Sequence, residues 1–107
     1  MKRRLPVDIE TLLRLLGTPR DSAMLRLTLA RLLSARGDLA AAEAHLEAAL
    51  AMDADYTAAW KELGRVRQQR EDFAGAADAW RQGIDKARAN GDKQAEKEMT
   101  VFLRRLL

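Results

Sequence analysis

Apolar residues near both ends of the chain recur at spacings of three and four, which is the pattern of a helix with one buried face. Between positions 8 and 17 this face consists of Ile9, Leu12, Leu13 and Leu16. Between positions 92 and 107 it consists of Ala95, Met99, Phe102 and Leu106. Asp8 and Asp92 stand just before these faces, where a carboxylate accepts the unpaired amide hydrogens of a first helical turn. The pattern therefore predicts an N-terminal flanking helix at 8–17 and a C-terminal capping helix at 92–107.

The segment between these two helices repeats itself with a period of 34 residues. Residues 23–56 align with residues 57–90 without a gap. Similar residues coincide at several positions, namely Leu29 with Leu63, Ala30 with Gly64, Leu39 with Phe73, Ala42 with Ala76, Leu46 with Trp80 and Ala49 with Gly83. A period of this length is typical of stacked helical repeats. We therefore expect a first unit at 23–56 and a second unit at 57–90, within a single domain spanning 1–107.

Each half of the repeat has the length of one helix and its turn. Aspartates recur every 17 residues, at Asp21, Asp38, Asp55 and Asp72. Because aspartate is a favoured N-cap, these positions predict the starts of four helices. The predicted helices span 22–36, 39–52, 56–70 and 73–89. Gly37 and Gly91 are suited to ending a helix.

The composition agrees with an all-α fold. Alanine occurs 20 times, leucine 17 times and arginine 14 times, whereas valine, isoleucine and threonine together occur 10 times. The first three residue types favour helices, and the last three favour strands. Because the chain has no cysteine, disulfide bonds, thiolate zinc sites and cysteine nucleophiles are excluded. We predict antiparallel helix-turn-helix repeats with one further helix at each end.

The second unit resembles the tetratricopeptide repeat family, whose 34-residue unit has conserved aromatic and small residues at fixed spacing. The residues that carry the resemblance are Trp60, Leu63, Gly64, Ala76, Trp80 and Gly83. The first unit is looser and has in those places Arg26, Leu29, Ala30, Leu33, Ala42, Leu46 and Ala49. Arg67 replaces the usual tyrosine, and Ala54 and Arg88 replace the usual closing proline.

The resemblance implies a superhelix of antiparallel helix pairs, in which Trp60 and Trp80 pack in the core and do not line a ligand cage. Residues 56–61 and 97–106 are further similar to small stand-alone bacterial members of this family. No catalytic activity comes with that likeness. It refines the fold prediction and leaves the function open.

In such a superhelix the first helix of each pair lines a concave groove. The helical phase of Leu29 and Leu63 determines which residues face it. The predicted groove residues are Leu27, Arg31, Ser34, Lys61, Glu62, Arg65, Gln68, Gln69, Lys93 and Lys97. Basic residues outnumber the single acid among them, so we expect a mildly basic groove. We predict a scaffold or adaptor that binds a peptide or protein segment of acidic character there.

The family's best-known groove ligand is the terminal carboxylate of a peptide. Lys93, Lys97 and Arg31 fall at places that correspond to that carboxylate clamp. Leu27 and Glu62, however, replace two of its polar members. The resemblance therefore implies a groove without a complete clamp.

No pattern indicates catalysis or a bound cofactor. His45 is the only histidine, and its helical phase turns it to the surface beside Glu43 and Glu47. A general base needs an orienting partner and a pocket, and a metal needs several ligands. Glycines occur singly, without a phosphate-binding loop. We therefore predict no enzymatic activity, no metal site and no cofactor.

Two other functions remain open from the sequence. A nucleic-acid-binding helical repeat could use the basic groove, but the chain carries no reader motif, and a net charge of +3 produces only a weak field. A self-associating structural domain could form a homodimer through Leu103, Leu106 and Leu107. Because the sequence contains neither an apolar run that could span a membrane nor a signal-peptide pattern, we expect a cytoplasmic protein.

Overall fold

The computed structural model describes residues 8–107, which form six α-helices and no strand. The helices are α1 (Ile9–Leu13), α2 (Ala23–Ala35), α3 (Leu39–Met52), α4 (Thr57–Gln69), α5 (Phe73–Asn90) and α6 (Lys93–Leu106). The all-α prediction is confirmed. The predicted helix at 8–17 is shorter than expected, because regular helix ends at Leu13 and the chain continues in turns to Gly17.

Three of the predicted aspartate caps form as expected. The carboxylates of Asp8, Asp72 and Asp92 accept hydrogen bonds from the backbone amides three residues later, over 2.7, 3.0 and 3.1 Å. Asp38 stands at the N-cap of α3, but its side chain makes no capping hydrogen bond. The start of α3 therefore depends on packing rather than on a cap.

The predicted caps Asp21 and Asp55 are wrong. The hydroxyl of Ser22 caps α2 by accepting from the amide of Leu25 over 3.0 Å. The residue before α4 is Tyr56, which provides no side-chain cap. Both aspartates lie one residue too early and pair with arginine or lysine side chains instead, Asp21 with Arg26 and Asp55 with Lys86.

Left-handed residues end three of the helices. Gly37 after α2 has φ of 82°, and Gly91 after α5 has φ of 72°, as the sequence predicts. The position one repeat after Gly37 is Glu71, which follows α4 with φ of 62°. The amides of Asp38 and Asp72 each donate to a carbonyl five residues earlier, over 2.9 and 2.8 Å. The two units therefore turn in the same way, although only one of them has glycine there.

Leucine and alanine fill the interface between the first helix pair and the second. The fully buried side chains of this cluster include Leu29, Leu46 and Leu63. A second cluster surrounds Trp80 and Met99, at the contact between α5 and α6. As a result, α6 covers the end of the second helix pair. At the other end of the molecule, α1 packs on α2.

Two glycines allow the helices of the second pair to approach α6 and each other. A methyl group at Gly64 would overlap the indole of Trp80, and one at Gly83 would overlap Met99. The indole nitrogen of Trp80 donates to the carbonyl of Lys61 over 3.1 Å. Because this donor is satisfied, the indole can be almost fully buried without an energetic penalty from an unpaired polar group.

The prediction that both tryptophans are core residues is confirmed fully for Trp80 and only in part for Trp60. Trp80 is 1% exposed. Trp60 packs against the core but is only partly buried, and its indole nitrogen donates to the carbonyl of Ala54 over 2.8 Å. Since Ala54 stands where the resemblance led us to expect proline, this hydrogen bond fixes the turn between α3 and α4 in its place.

Candidate binding groove

The first helices of the two pairs, α2 and α4, form the two walls of a shallow depression on one side of the molecule. Its volume is about 390 Å³, and its lining residues are Arg31, Ser34, Ala35, Glu62, Arg65, Gln68 and Gln69. The hydroxyl of Ser34 lies 3.3 Å from the amide oxygen of Gln69 and joins the walls. The structure thus brings together most of the residues that we predicted for the groove. We call this site the α2–α4 depression.

Two arginines flank a single carboxylate in this depression. Glu62 Oε1 lies 3.8 Å from Nε of Arg31 and 3.6 Å from Nη1 of Arg65. The guanidinium of Arg65 also lies over the ring of Phe102, 5.2 Å from its centre, in a cation–π contact. The side chain of Glu62 is only 14% exposed, whereas both arginine side chains are about half exposed. The acid is therefore mostly shielded beneath the two cations, which face the solvent.

A smaller cleft adjoins the depression between α4 and α6. Its volume is about 210 Å³, and its lining residues are Tyr56, Thr57, Ala58, Lys61, Asp92, Gln94, Ala95 and Glu98. The ammonium group of Lys61 lies 3.1 Å from the carboxylate of Glu98. We call this site the α4–α6 cleft. The predicted groove residue Lys61 belongs to it, and its charge is neutralised.

Glu98 was missed by the sequence analysis. It lies one helical turn before Phe102, on the face of α6 that packs toward α4. A carboxylate four residues before an apolar face residue was the available signal, because positions i and i+4 share one face of a helix. Its pairing with Lys61 makes the concave side less basic than predicted.

Three other predicted residues do not line either site. Leu27 is 3% exposed and belongs to the core cluster, so the prediction that it faces the groove is wrong. Position 27 lies at the edge of the buried stripe of α2, and an apolar side chain there turns inward because burial removes it from water. Lys93 and Lys97 are exposed on α6, outside the lining of the depression and of the cleft.

His45 is not the solvated surface histidine that we expected. Its Nδ1 lies 3.2 Å from Nη1 of Arg26, and the imidazole is partly buried between α2 and α3. Burial, followed by the positive charge of Arg26, lowers the pKa of His45 below its ordinary value of 6.5. The same arginine donates a hydrogen bond to Asp21 over 2.9 Å. Hydrogen bonding by Arg26 is the main cause that lowers the pKa of Asp21 to about 2. The histidine therefore has a structural partner in Arg26.

Glu43 and Glu47, which we expected beside His45, are instead paired with arginines of α4 and its C-cap. Arg67 donates to Glu43 over 3.0 Å, to Glu47 over 3.3 Å and to the carbonyl of Gly75 over 3.1 Å. Arg70 donates to Glu43 over 2.6 Å. Arg67, which replaces a usual tyrosine, therefore connects α3, α4 and α5 by polar contacts.

A third depression lies between α3 and α5, on the side away from the α2–α4 depression. Its volume is about 400 Å³, and its lining residues are Glu47, Leu50, Ala51, Ala54, Trp60, Leu63, Arg67, Asp78 and Gln82. The exposed edge of Trp60 forms part of its floor. Arg67 is fully engaged here by the contacts described above, so this surface offers mainly apolar contact.

Within residues 8–107 no group of three or more acidic or histidine side chains could hold a metal ion. Every buried side-chain nitrogen and oxygen of that part of the chain has a hydrogen-bond partner. None of its helices has the length and apolar character needed to cross a membrane.

Comparison with known proteins agrees with this architecture. The profile of the tetratricopeptide repeat matches residues 23–66. A TPR repeat-containing protein from Pseudomonas aeruginosa is 48% identical over 98 residues, which cover 92% of this chain and 93% of the relative. The chain belongs to the tetratricopeptide repeat family. Repeats of this family generally mediate protein–protein interaction and are non-catalytic.

Solved structures of this family share the whole fold. A protein from Bordetella parapertussis, determined in solution, superimposes with a TM-score of 0.81 at 41% identity, over 95% of this chain and 89% of that one. The TPR domain of Sgt2 from Aspergillus fumigatus gives a TM-score of 0.76 at 28% identity, over 91% of this chain and 64% of that one. The flanking helices are therefore part of a fold that these relatives also adopt.

Proposed function

We propose that this protein is a non-catalytic adaptor that binds a peptide or protein segment in the α2–α4 depression. The observation that carries the proposal is the open, polar lining of that depression, in which two half-exposed arginines stand beside amide and hydroxyl groups. Such a surface can hydrogen-bond the backbone and the side chains of an extended segment. The proposal takes the cytoplasm as the place of action, and cell fractionation checks that.

The form of the depression favours a segment of a macromolecule over a small metabolite. Small-molecule sites usually enclose most of the ligand surface between apolar walls. This depression lies open between two parallel helices and is lined mainly by long polar side chains. A chain that runs along the helices can contact both walls and continue past either end.

Site-specific photo-crosslinking tests this proposal. A photoreactive amino acid replaces Gln68, which lines the depression, and in a matched variant it replaces Ala89, which is exposed on α5. After illumination in the host cell, we expect protein adducts at position 68 and none of the same mass at position 89. Adducts that form equally at both positions, or only at position 89, would contradict binding in the depression.

The same variants separate the alternative functions. Adducts at position 68 that contain nucleic acid would favour a nucleic-acid-binding protein, and adducts with twice the monomer mass would favour a homodimer. Light scattering of the purified protein measures the second alternative directly, because a dimer doubles the mass. Either result would replace the adaptor function proposed here.

A further inference from the structure

The concave side of the molecule divides into two sites of different charge. Resting on the proposed function, we infer that the α2–α4 depression receives one aspartate or glutamate side chain of the bound segment, between the guanidinium groups of Arg31 and Arg65. The α4–α6 cleft, by contrast, disfavours acidic residues. The two sites together then fix the orientation and register of the segment.

The first step of the argument concerns hydrogen-bond donors. A guanidinium group has five N–H donors in a planar fork that matches a carboxylate. Arg67 donates hydrogen bonds to two carboxylates and a backbone carbonyl. Arg31 and Arg65 make no hydrogen bond to any residue in the described part of the chain, because their distances to Glu62 exceed 3.5 Å. Their donors are available to a ligand.

The second step concerns the positions of these arginines. The carboxylate of Glu62 attracts both guanidinium groups toward the floor of the depression, and Phe102 supports the flat face of Arg65. Long side chains held in this way lose less conformational entropy when a ligand binds. The depression is therefore prepared for an anion before the segment arrives.

The third step concerns the charge of that anion. Arg31 and Arg65 carry two positive charges and Glu62 carries one negative charge, so the local excess is a single positive charge. One carboxylate balances it. A dianionic phosphate or a polyanionic backbone would bring further negative charge next to Glu62. The charge balance thus favours an acidic side chain over a nucleic acid.

The α4–α6 cleft has the opposite balance. Glu98 neutralises Lys61, and Asp92 adds a further carboxylate at the rim. Asp92 also accepts the capping hydrogen bond from the amide of Ala95. An acidic residue of the segment would be repelled here, whereas a neutral or basic residue is tolerated. Only one end of the concave side therefore selects for acid.

Peptide display tests this inference. The probe is a random 12-residue library whose C-termini are fused to the phage coat protein, so that no peptide offers a free terminal carboxylate. The wild type is compared with Arg31→Gln/Arg65→Gln and with a control, Arg20→Gln/Arg81→Gln, which loses the same charge from exposed arginines outside both sites. Thermal melting should show that both double variants remain folded.

We expect the wild type and the control to select peptides with an aspartate or glutamate at one fixed position. Replacing that residue by its amide in a synthetic peptide, acetylated and amidated at its ends, should weaken binding to the wild type about tenfold or more, as calorimetry measures. The same replacement should have little effect on binding to Arg31→Gln/Arg65→Gln, because the receiving arginines are gone.

Several outcomes would overturn the inference. If the selected peptides share no acidic position, no single carboxylate site exists. The same conclusion follows if both double variants lose affinity for the selected peptides equally. Binding that appears only with a free peptide C-terminus would assign the anion to the chain end, and tight binding of a 12-nucleotide RNA through Arg31 and Arg65 would assign it to phosphate. An adduct at position 68 that contains a protein would still support the proposed function, whereas the absence of such adducts would contradict that function itself.

Discussion

Glu71 has φ of 62° at the end of α4, in a backbone region where side chains other than glycine are strained. The equivalent residue of the first unit is Gly37, with φ of 82° and open space around the position of a Cβ atom. The strain at Glu71 comes from its left-handed backbone conformation. A non-glycine residue in the left-handed region costs about 1 to 2 kcal/mol, part of which is offset by the greater freedom of glycine in the unfolded chain.

We expect Glu71→Gly to stabilise the protein by about 1 kcal/mol, because it removes that strain. The corresponding rise in melting temperature is roughly 4 to 8 °C for a domain of this size. The reverse change, Gly37→Glu, should lower it by a similar amount and serves as the matched control. Thermal unfolding followed by circular dichroism measures both, and a Glu71→Gly variant that melts at or below the wild-type temperature would refute the argument.

Among the helices, α2 and α3 are joined at one end by Arg26 and His45. Arg26 donates toward Nδ1 of His45, so this nitrogen carries no proton in the folded protein. Protonation would place a second cation beside the guanidinium group, while Asp21 provides the opposing charge. The contact therefore makes the association of the two helices sensitive to pH.

The folded-state pKa of His45 lies below the ordinary value of 6.5, so the unfolded chain binds more protons in this range. Stability should be fully present above the unfolded pKa and should fall as the pH drops through about 6.5 toward the lower, folded pKa. Asp21, with a folded pKa of about 2, stays ionised throughout this window. Urea unfolding at about pH 7.5 and 5.5 should show that the free energy of unfolding falls more for the wild type than for His45→Gln. Equal losses in the two proteins would exclude His45 as the cause.

The helices show how far sequence reasoning reaches. The apolar periodicity and the 34-residue repeat predict the ends of α2 to α6 within one or two residues. Both patterns arise because each helix buries one face. The cap at Asp21 was wrong because Ser22, one residue later, competes for the same amide groups. The pairing of Lys61 with Glu98 could not be derived, because it depends on how α6 is rotated against α4, and local spacing does not contain that rotation.

At the scale of the whole molecule, α6 completes a core that two helix pairs leave open. Met99 is fully buried against Gly83, and Phe102 packs on Trp80 with ring centres 5.4 Å apart. Stacked repeats expose an apolar face at each end unless an atypical helix covers it. Helix α6 therefore contributes to the stability of the domain, and its Phe102 also supports Arg65 in the depression.

Met99→Ala should destabilise the protein by about 2 to 5 kcal/mol, since it leaves a cavity in the cluster around Trp80. Val101→Ala on the same helix should cost much less, because that side chain is already 39% exposed. Chemical unfolding of the two variants measures the difference. A similar decrease in the free energy of unfolding for both variants would contradict the role of α6 in covering the core.

The contacts Arg65–Phe102 and Phe102–Trp80 form a continuous series from the solvent to the buried indole of Trp80. An anion bound to the guanidinium group of Arg65 changes the electric field at Phe102 and Trp80. Light emitted by that tryptophan thus reports occupancy of the depression without any attached dye. Replacing Trp60 by phenylalanine leaves Trp80 as the only tryptophan of the chain.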